Sequence, residues 1–305
     1  MAGMTKAAII GAGHVGSHVA LDFLMSGLFD EIVLIDIDEK KAHGHADDLA
    51  DRLPLSGRQT RVRAGGYADI ADAQLAVVCA CGTALFADRL LELSAMVAIL
   101  DDIGGKLGAC GFSGVVLSIS NPCDVVARYL AQQTGLRVIG TGTLLDSARL
   151  RRNLARALGV APASVQAFCL GEHGDSQVAA FSRATVGGVP LGDYPGAPAL
   201  NLPALAKETA DAGWQVVLGK GCTEFAIAAV ATTLARAILG DEKWVLPCST
   251  MLHGEYGVAG VYASVLCVVG AGGVLQTIEA PISSTEQAAF QASCRMLEAA
   301  FQGIG

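Results

Sequence analysis

The side chains best suited to chemistry lie in two short segments, Asp146–Arg149 and Gly171–Asp175. A histidine held by a carboxylate donates and accepts a proton near neutral pH, so His173 and Asp146 are a candidate acid–base pair. The guanidinium of Arg149 could bind a carboxylate through two parallel hydrogen bonds. Taken alone, Asp146 and Arg149 are more typical of an ordinary helical ion pair. Together, the three side chains predict oxidation of a hydroxy acid, or its reverse.

A glycine motif near the N-terminus predicts a dinucleotide-binding turn. Gly11-Ala12-Gly13-His14-Val15-Gly16 follows a predicted strand and precedes a predicted helix. The first glycine permits a tight turn, the second lets a pyrophosphate approach, and the third lets the helix pack closely on the strand. A glycine turn that only packs a helix on a sheet is the alternative.

An acidic residue supports the dinucleotide interpretation. Asp36 ends the next predicted strand, twenty residues after Gly16. A carboxylate at this place binds the ribose hydroxyls and repels a 2′-phosphate, so NAD is predicted rather than NADP. The predicted cofactor-binding residues are Gly11, Gly13, His14, Val15, Gly16, Asp36, Ser120 and Asn121.

Strands and helices alternate through about residue 143, which is typical of a doubly wound parallel sheet. Strands are predicted at 6–10, 31–35, 75–79, 115–119 and 137–139, and helices at 15–25, 40–51 (ended by Pro54), 89–110 and 124–134. Beyond this region, a strand is predicted at 165–170 and helices at 146–158, 203–218, 224–239 and 285–302. We therefore predict an α/β protein with a dinucleotide-binding (Rossmann) domain at 1–143 and an α+β substrate domain at 144–305.

The composition argues against several classes of protein. The chain has 305 residues, 52% of them hydrophobic, and is long enough for two packed domains. A net charge of −8 without a block of basic residues argues against a nucleic-acid partner. The nine cysteines lack ligand spacing, and we expect no signal peptide, so reduced thiols in the cytoplasm are predicted. The histidines and aspartates of segment 43–48 form no closed ligand set, and no metal site is predicted.

One uncharged segment, 257–278, is long enough to suggest a membrane helix. Its glycines and β-branched valines instead favour two buried strands joined by a hairpin at Ala271-Gly272-Gly273. We therefore predict no membrane partner.

Three further motifs follow the glycine motif in order along the chain. They are Ser120-Asn121-Pro122-Cys123-Asp124, Thr141-Gly142-Thr143-Leu144-Leu145-Asp146-Ser147-Ala148-Arg149 and Leu170-Gly171-Glu172-His173-Gly174-Asp175. With the glycine motif, they resemble the L-lactate/malate dehydrogenase family over nearly the whole chain. The segments 138–146 and Asp88-Arg89-x-x-Glu92-Leu93 most resemble the L-2-hydroxyisocaproate dehydrogenases of that family.

The resemblance implies a role for each site residue. His173 exchanges the hydroxyl proton, Asp146 holds its imidazole, and Arg149 binds the substrate carboxylate. Arg89 polarises the substrate carbonyl and Asn121 hydrogen-bonds the same oxygen. The other predicted substrate-binding residues are Thr223, Thr83 and Ala84. The resemblance also implies an NAD-dependent dehydrogenase that acts reversibly on a small 2-oxo or 2-hydroxy acid as a homotetramer, with a dimer as the alternative.

The segment between Cys79 and Arg89 departs from the family pattern. It lacks the extra arginine of malate enzymes and the glutamine and Gly-Glu pair of typical lactate enzymes. A second substrate carboxylate would be buried there without a partner, at a cost on the order of several kcal/mol. The small and apolar residues at 83–85 favour a substrate such as 2-oxoisocaproate or phenylpyruvate, with pyruvate as the alternative.

Two further alternatives have other chemistry. One is an NAD-binding sensor without catalysis, against which the complete set of predicted catalytic side chains argues. The other is an NAD-dependent glycosidase, a class of longer chains with a cysteine/histidine metal site that this sequence does not show.

Overall fold

A nine-stranded sheet lies at the centre of the computed structural model, which describes residues 4–82 and 89–304, with backbone only for 89–95. In spatial order its strands are β3 (Arg61–Ala64), β2 (Glu31–Ile35), β1 (Lys6–Ile10), β4 (Leu75–Val78), β5 (Val115–Ser118), β6 (Arg137–Gly140), β12 (Trp244–His253), β13 (Ala259–Gly270) and β14 (Gly273–Ile278). The first six strands are parallel and the last three antiparallel. The order 3-2-1-4-5-6 of the parallel part is that of a doubly wound dinucleotide-binding sheet, so the predicted fold class is confirmed.

Helices connect most of the parallel strands and cover both faces of the sheet. They are α1 (His14–Ser26), α2 (Glu39–Ser56), α3 (Arg89–Ala109), α4 (Cys123–Thr134), α5 (Leu144–Leu158), α6 (Leu202–Lys220), α7 (Phe225–Leu239) and α8 (Ser284–Gln302). Five short strands complete the C-terminal half: β7 (Val165–Gln166), β8 (Cys169–Leu170), β9 (Val178–Ala179), β10 (Thr185–Val186) and β11 (Val189–Pro190). They form a three-stranded sheet, β11-β10-β7, and the pair β8-β9.

Successive side chains of the parallel strands enter two different cores. Ile9 and Leu34 belong to the core on one face of the sheet, whereas Ala8 and Val33 belong to the core on the other. Burial on both faces explains why these strands are continuous apolar runs in the sequence. A third core, which includes Leu150 of α5, supports the substrate half.

The structure differs from the sequence predictions at four elements. Strands β3 and β12 were not predicted; β3 is an edge strand, and its arginines pair with Glu31 rather than with an apolar layer. The predicted strand at 165–170 is two short strands, because β7 and β8 pair with different partners. Helix α2 does not end at Pro54, which lies in its last turn; the helix ends before Gly57, whose φ of 67° is left-handed.

The uncharged segment 257–278 forms the predicted hairpin of β13 and β14. No helix in the described part of the chain has the length and apolar character to cross a membrane. Strand β12 pairs with β6, so the central sheet continues from the predicted dinucleotide-binding domain into the substrate domain. The boundary at residue 143 stays a prediction.

Candidate active site

The glycine motif forms the turn between β1 and α1. A Cβ atom on Gly16 would lie 1.9 Å from the carbonyl oxygen of Gly11, so only glycine permits this approach. Among the described residues, no side chain caps the N-terminus of α1, which leaves its N–H groups for an anion. Among described atoms, a Cβ on Gly13 would come within contact distance of Lys41 Nζ alone, at 3.8 Å, so the outer side of the turn is open.

The carboxylate of Asp36 is held against this turn. Its Oδ2 accepts a hydrogen bond from the N–H of Ala12 at 2.7 Å, and its Oδ1 accepts one from the N–H of Asp38 at 3.0 Å. Lys41 Nζ lies 3.8 Å from Asp36 Oδ2 and was not among the predicted site residues, since no motif marks it. A carboxylate beside open helix N–H groups fits the ribose and pyrophosphate of NAD.

The other predicted cofactor residues lie near the same edge of the sheet. Val15 is half-buried and His14 is exposed at the start of α1. Ser120 is buried, and its hydroxyl donates to the carbonyl oxygen of Ala80 at 2.5 Å. Asn121 is exposed and precedes a cis peptide bond.

The structure describes some of the predicted substrate-binding residues in full, one by its backbone only, and others not at all. Thr223 is half-buried in the segment between α6 and α7. Arg89 is the first residue of α3, with its side chain outside the description, and Thr83 and Ala84 lie outside the described residues. Their predicted roles stay predictions.

The structure brings the predicted acid–base pair together. His173 Nδ1 lies 2.6 Å from Asp146 Oδ2, within hydrogen-bonding distance. The side chain of Asp146 is 1% exposed, whereas that of His173 is 25% exposed and so accessible from one side. The other carboxylate oxygen of Asp146 accepts a hydrogen bond from Arg149 Nη1 at 2.9 Å. Asp146 therefore links the predicted proton donor to the predicted carboxylate clamp.

Helix α6 leaves room for the guanidinium of Arg149. A Cβ atom on Gly213 would lie 3.4 Å from Arg149 Nη1, in close contact. The resemblance implies that this guanidinium binds the substrate carboxylate, whereas in the structure it donates a hydrogen bond to Asp146. The two are compatible, because a guanidinium has five N–H donors.

Hydrogen bonds fix strand β8, which leads to the histidine, between α5 and β13. The hydroxyl of Thr143 donates to the carbonyl of Cys169 at 2.6 Å, and the N–H of Cys169 donates to the hydroxyl of Ser147 at 2.8 Å. On the other side, Gly171 and Ser264 exchange two backbone hydrogen bonds of 2.9 Å. The turn that carries the histidine therefore begins at a rigid position.

A second buried carboxylate contacts the histidine and was not predicted as functional. Asp124, in the first turn of α4, accepts a hydrogen bond at 2.8 Å from the backbone N–H of His173. Asp124 lies within a motif that the sequence analysis quoted. Nothing in that motif indicates a contact with a residue 49 positions away.

The charges favour a proton on the imidazole. Burial by itself lowers the pKa of His173, but the charge and hydrogen bond of Asp146, with the charge of Asp124, raise it above its usual value. Burial by itself raises the pKa of Asp146, but His173 and Arg149 hold it below its usual value. Burial raises the pKa of Asp124 to about 6. The environment of the site therefore favours the protonated imidazole, the form that can donate a proton.

Family models match both halves of the chain. Residues 5–139 match the lactate/malate dehydrogenase NAD binding domain, and residues 143–304 match the lactate/malate dehydrogenase alpha/beta C-terminal domain. The chain belongs to the lactate/malate dehydrogenase family. It is therefore an NAD-dependent oxidoreductase of 2-hydroxy acids, as the sequence predicted.

Similar proteins align over nearly the whole chain. The L-lactate dehydrogenase of Fusobacterium nucleatum is 37% identical over 301 residues, 96% of this chain and 95% of that protein. The minor L-lactate dehydrogenase of Enterococcus mundtii superposes with a TM-score of 0.95 at 35% identity over 99% of both chains. The malate dehydrogenase of Cryptosporidium parvum superposes with a TM-score of 0.93 at 31% identity, also over 99% of both chains. These relatives do not support the finer resemblance to the L-2-hydroxyisocaproate dehydrogenases.

We expect Asp124→Asn to lower the pKa of His173, because the charge of Asp124 raises it. If His173 is the proton donor, as predicted, reduction of a 2-oxo acid requires its protonated imidazole, so kcat/KM should begin to fall with rising pH at a lower pH in the variant. The measurement is the pH profile of kcat/KM for reduction by NADH. Superimposable profiles would show that Asp124 has no such influence.

The stability of the same variant provides a second readout. The pKa of Asp124 in the folded protein, about 6, exceeds the usual value of 3.8, so its ionisation destabilises the fold as pH rises between these values. The D124N variant lacks this group. Between pH 3.8 and about 6, its free energy of unfolding should therefore fall less than that of the wild type. Urea denaturation at several pH values measures this difference.

Proposed function

We propose that the chain is an L-lactate dehydrogenase that reduces pyruvate with NADH and catalyses the reverse reaction. The observation that carries the proposal is the buried Asp146, which joins the His173 imidazole to the Arg149 guanidinium. A 2-oxo acid needs a proton donor at its carbonyl and a cation at its carboxylate, and these side chains supply both. Relatives named L-lactate dehydrogenase support pyruvate as the substrate.

Each side chain has a separate task in this proposal. When bound, NADH supplies the hydride for reduction. His173 donates its proton to the carbonyl oxygen and, in the reverse direction, accepts the hydroxyl proton. Asp146 stabilises the imidazolium, and the N–H groups of Arg149 that do not contact Asp146 bind the carboxylate. Arg89 and Asn121 are proposed to hydrogen-bond the carbonyl oxygen as negative charge develops on it.

The substrate is proposed to be smaller than the sequence alone favoured. The preference for 2-oxoisocaproate or phenylpyruvate depends on residues 83–85, which lie outside the described part of the chain. The curated relatives instead favour pyruvate. Dicarboxylates are proposed to be poor substrates, since the sequence between Cys79 and Arg89 contains no cation.

A panel of 2-oxo acids tests the substrate. We expect kcat/KM for pyruvate to exceed that for 2-oxoisocaproate and phenylpyruvate, and to exceed that for oxaloacetate by roughly 100-fold, because a second carboxylate would be buried unpaired. The measurement is NADH oxidation with the four acids on one preparation. Preference for 2-oxoisocaproate or phenylpyruvate would favour the apolar-substrate alternative, and preference for oxaloacetate would refute the charge argument.

The proposal extends to assembly and organisation. We propose a homotetramer, with a dimer as the alternative, located in the cytoplasm. The homotetramer is supported by the assembly that the family resemblance implies. Light scattering of the protein as it elutes from a size-exclusion column would measure the mass of the oligomer. We retain the division into a dinucleotide-binding domain at 1–143 and a substrate domain at 144–305 as part of the proposal.

A further inference from the structure

Three metal-ligating side chains from distant parts of the chain meet at the start of α1. His14 is the first residue of that helix, and Cys222 and Glu224 lie between α6 and α7. One potential ligand atom from each residue lies within 4.8 Å of the others. None of the three belongs to the acid–base pair or to the carboxylate clamp, but His14 is one of the predicted cofactor-binding residues.

The distances and donor types suit one small transition-metal ion. His14 Nδ1 lies 3.4 Å from Glu224 Oε2, and the thiol of Cys222 donates a hydrogen bond to the same oxygen at 2.9 Å. Tetrahedral ligands at about 2.0–2.3 Å from Zn²⁺ are separated by roughly 3.3–3.7 Å, so small side-chain shifts would satisfy the geometry. A nitrogen, sulfur and oxygen set favours Zn²⁺ over Mg²⁺ or Ca²⁺, which prefer oxygen ligands.

The neighbouring charges leave the relevant oxygen of Glu224 available. Lys220 hydrogen-bonds Oε1, the oxygen on the other side of the carboxylate. His18 Nδ1 lies 3.9 Å from Oε2, but it hydrogen-bonds the carbonyl of His14 at 2.7 Å and is a neighbour rather than a ligand. The side chain of Glu224 is 9% exposed and that of His14 is 81% exposed, so an ion can enter from the His14 side.

We propose that His14, Cys222 and Glu224 bind Zn²⁺ or a similar transition-metal ion, with Cys222 binding as the thiolate after its proton passes to solvent and with water completing the coordination. The ion would tie the start of α1, at the predicted pyrophosphate turn, to the segment that carries Thr223. The sequence predicted no metal site because His14 is more than two hundred positions from Cys222 and Glu224 and shares no motif with them.

Cobalt(II) is the sharpest probe of this site, because a thiolate ligand to Co²⁺ produces charge-transfer absorption in the near ultraviolet. We expect chelator-treated protein to bind one Co²⁺ per chain with this absorption, and added Zn²⁺ to remove it by displacement. Cys222→Ser should abolish the absorption. Cys110→Ser, which changes another half-buried cysteine away from the cluster, should retain it.

Thermal unfolding provides an independent readout. A ligand that binds only the folded state raises Tm, so Zn²⁺ should raise Tm of the wild type and of C110S, and a chelator should reverse the rise. C222S and His14→Ala should lose the rise while their metal-free circular dichroism matches that of the wild type. No thiolate absorption in the wild type, or absorption that survives in C222S, would overturn the proposal. These signals do not depend on turnover, so they stand apart from the lactate dehydrogenase assay.

Discussion

Replacing His173 with glutamine should reduce turnover of pyruvate by about 10²–10⁴-fold, the contribution typical of a positioned general acid. Glutamine can accept a hydrogen bond but cannot exchange a proton near neutral pH. In the wild type, the imidazole Nδ1 lies 2.6 Å from Asp146 Oδ2, and the carboxylate favours the charged form that donates the proton. The measurements are kcat in the steady state and the Kd of NADH by fluorescence.

The affinity for NADH separates loss of chemistry from loss of structure. The dinucleotide is expected at Asp36 and the glycine turn, so its Kd in H173Q should stay within about threefold of the wild-type value. The matched control is His43→Gln, because His43 is exposed on α2 and contributes to neither part of the site. Turnover by H173Q at the wild-type rate would eliminate the acid–base assignment.

Replacing Arg149 with glutamine should lower kcat/KM for pyruvate by about 30- to 5,000-fold, from the roughly 2–5 kcal/mol typical of losing one partner of a buried, hydrogen-bonded charge pair. The loss should appear largely as a raised KM for pyruvate, because the guanidinium binds the substrate carboxylate in both ground and transition states. The KM for NADH should stay close to that of the wild type. Steady-state kinetics with each substrate varied in turn provides both values.

A second arginine on the same helix serves as the control for Arg149. Arg156 pairs with Glu208 of α6 at 2.6 Å, but both side chains are exposed, so the pair contributes little to stability. Arg156→Gln should leave both KM values unchanged. If R149Q kept the wild-type KM for pyruvate, the guanidinium would have a structural role at Asp146 and the clamp would have to be sought elsewhere.

Most of the parallel sheet was predictable because its signals are local. Ile9 and Leu34 belong to runs in which nearly every residue is apolar, since both faces of the sheet are covered. Strand β3 was missed for the same physical reason: at the edge of the sheet, Arg63 pairs with Glu31 at 2.8 Å, and its sequence lacks the apolar run. Strand β12 pairs with β6 and so extends the sheet beyond its parallel part. No local sequence pattern reveals this pairing.

The site was predictable to the extent that motifs carry it. His173, Asp146 and Arg149 stand in motifs with fixed spacing, and the structure joins them through two hydrogen bonds. Asp124 was visible within a motif, but its contact with the backbone of His173 depends on how α4 meets the loop after β8.

The amino-acid sequence by itself determined the chemistry available to this protein: an acid–base histidine, an arginine for a carboxylate, and a glycine turn with an acidic partner for NAD. These depend on residue type and on spacing over a few positions, which the chain carries in any conformation. Only the tertiary structure decided which charges meet, because pKa values and ligand sets depend on distances between residues far apart in the chain. Gly142 illustrates the difference: a Cβ there would lie 2.2 Å from the hydroxyl oxygen of Ser264, and only the fold brings the two together.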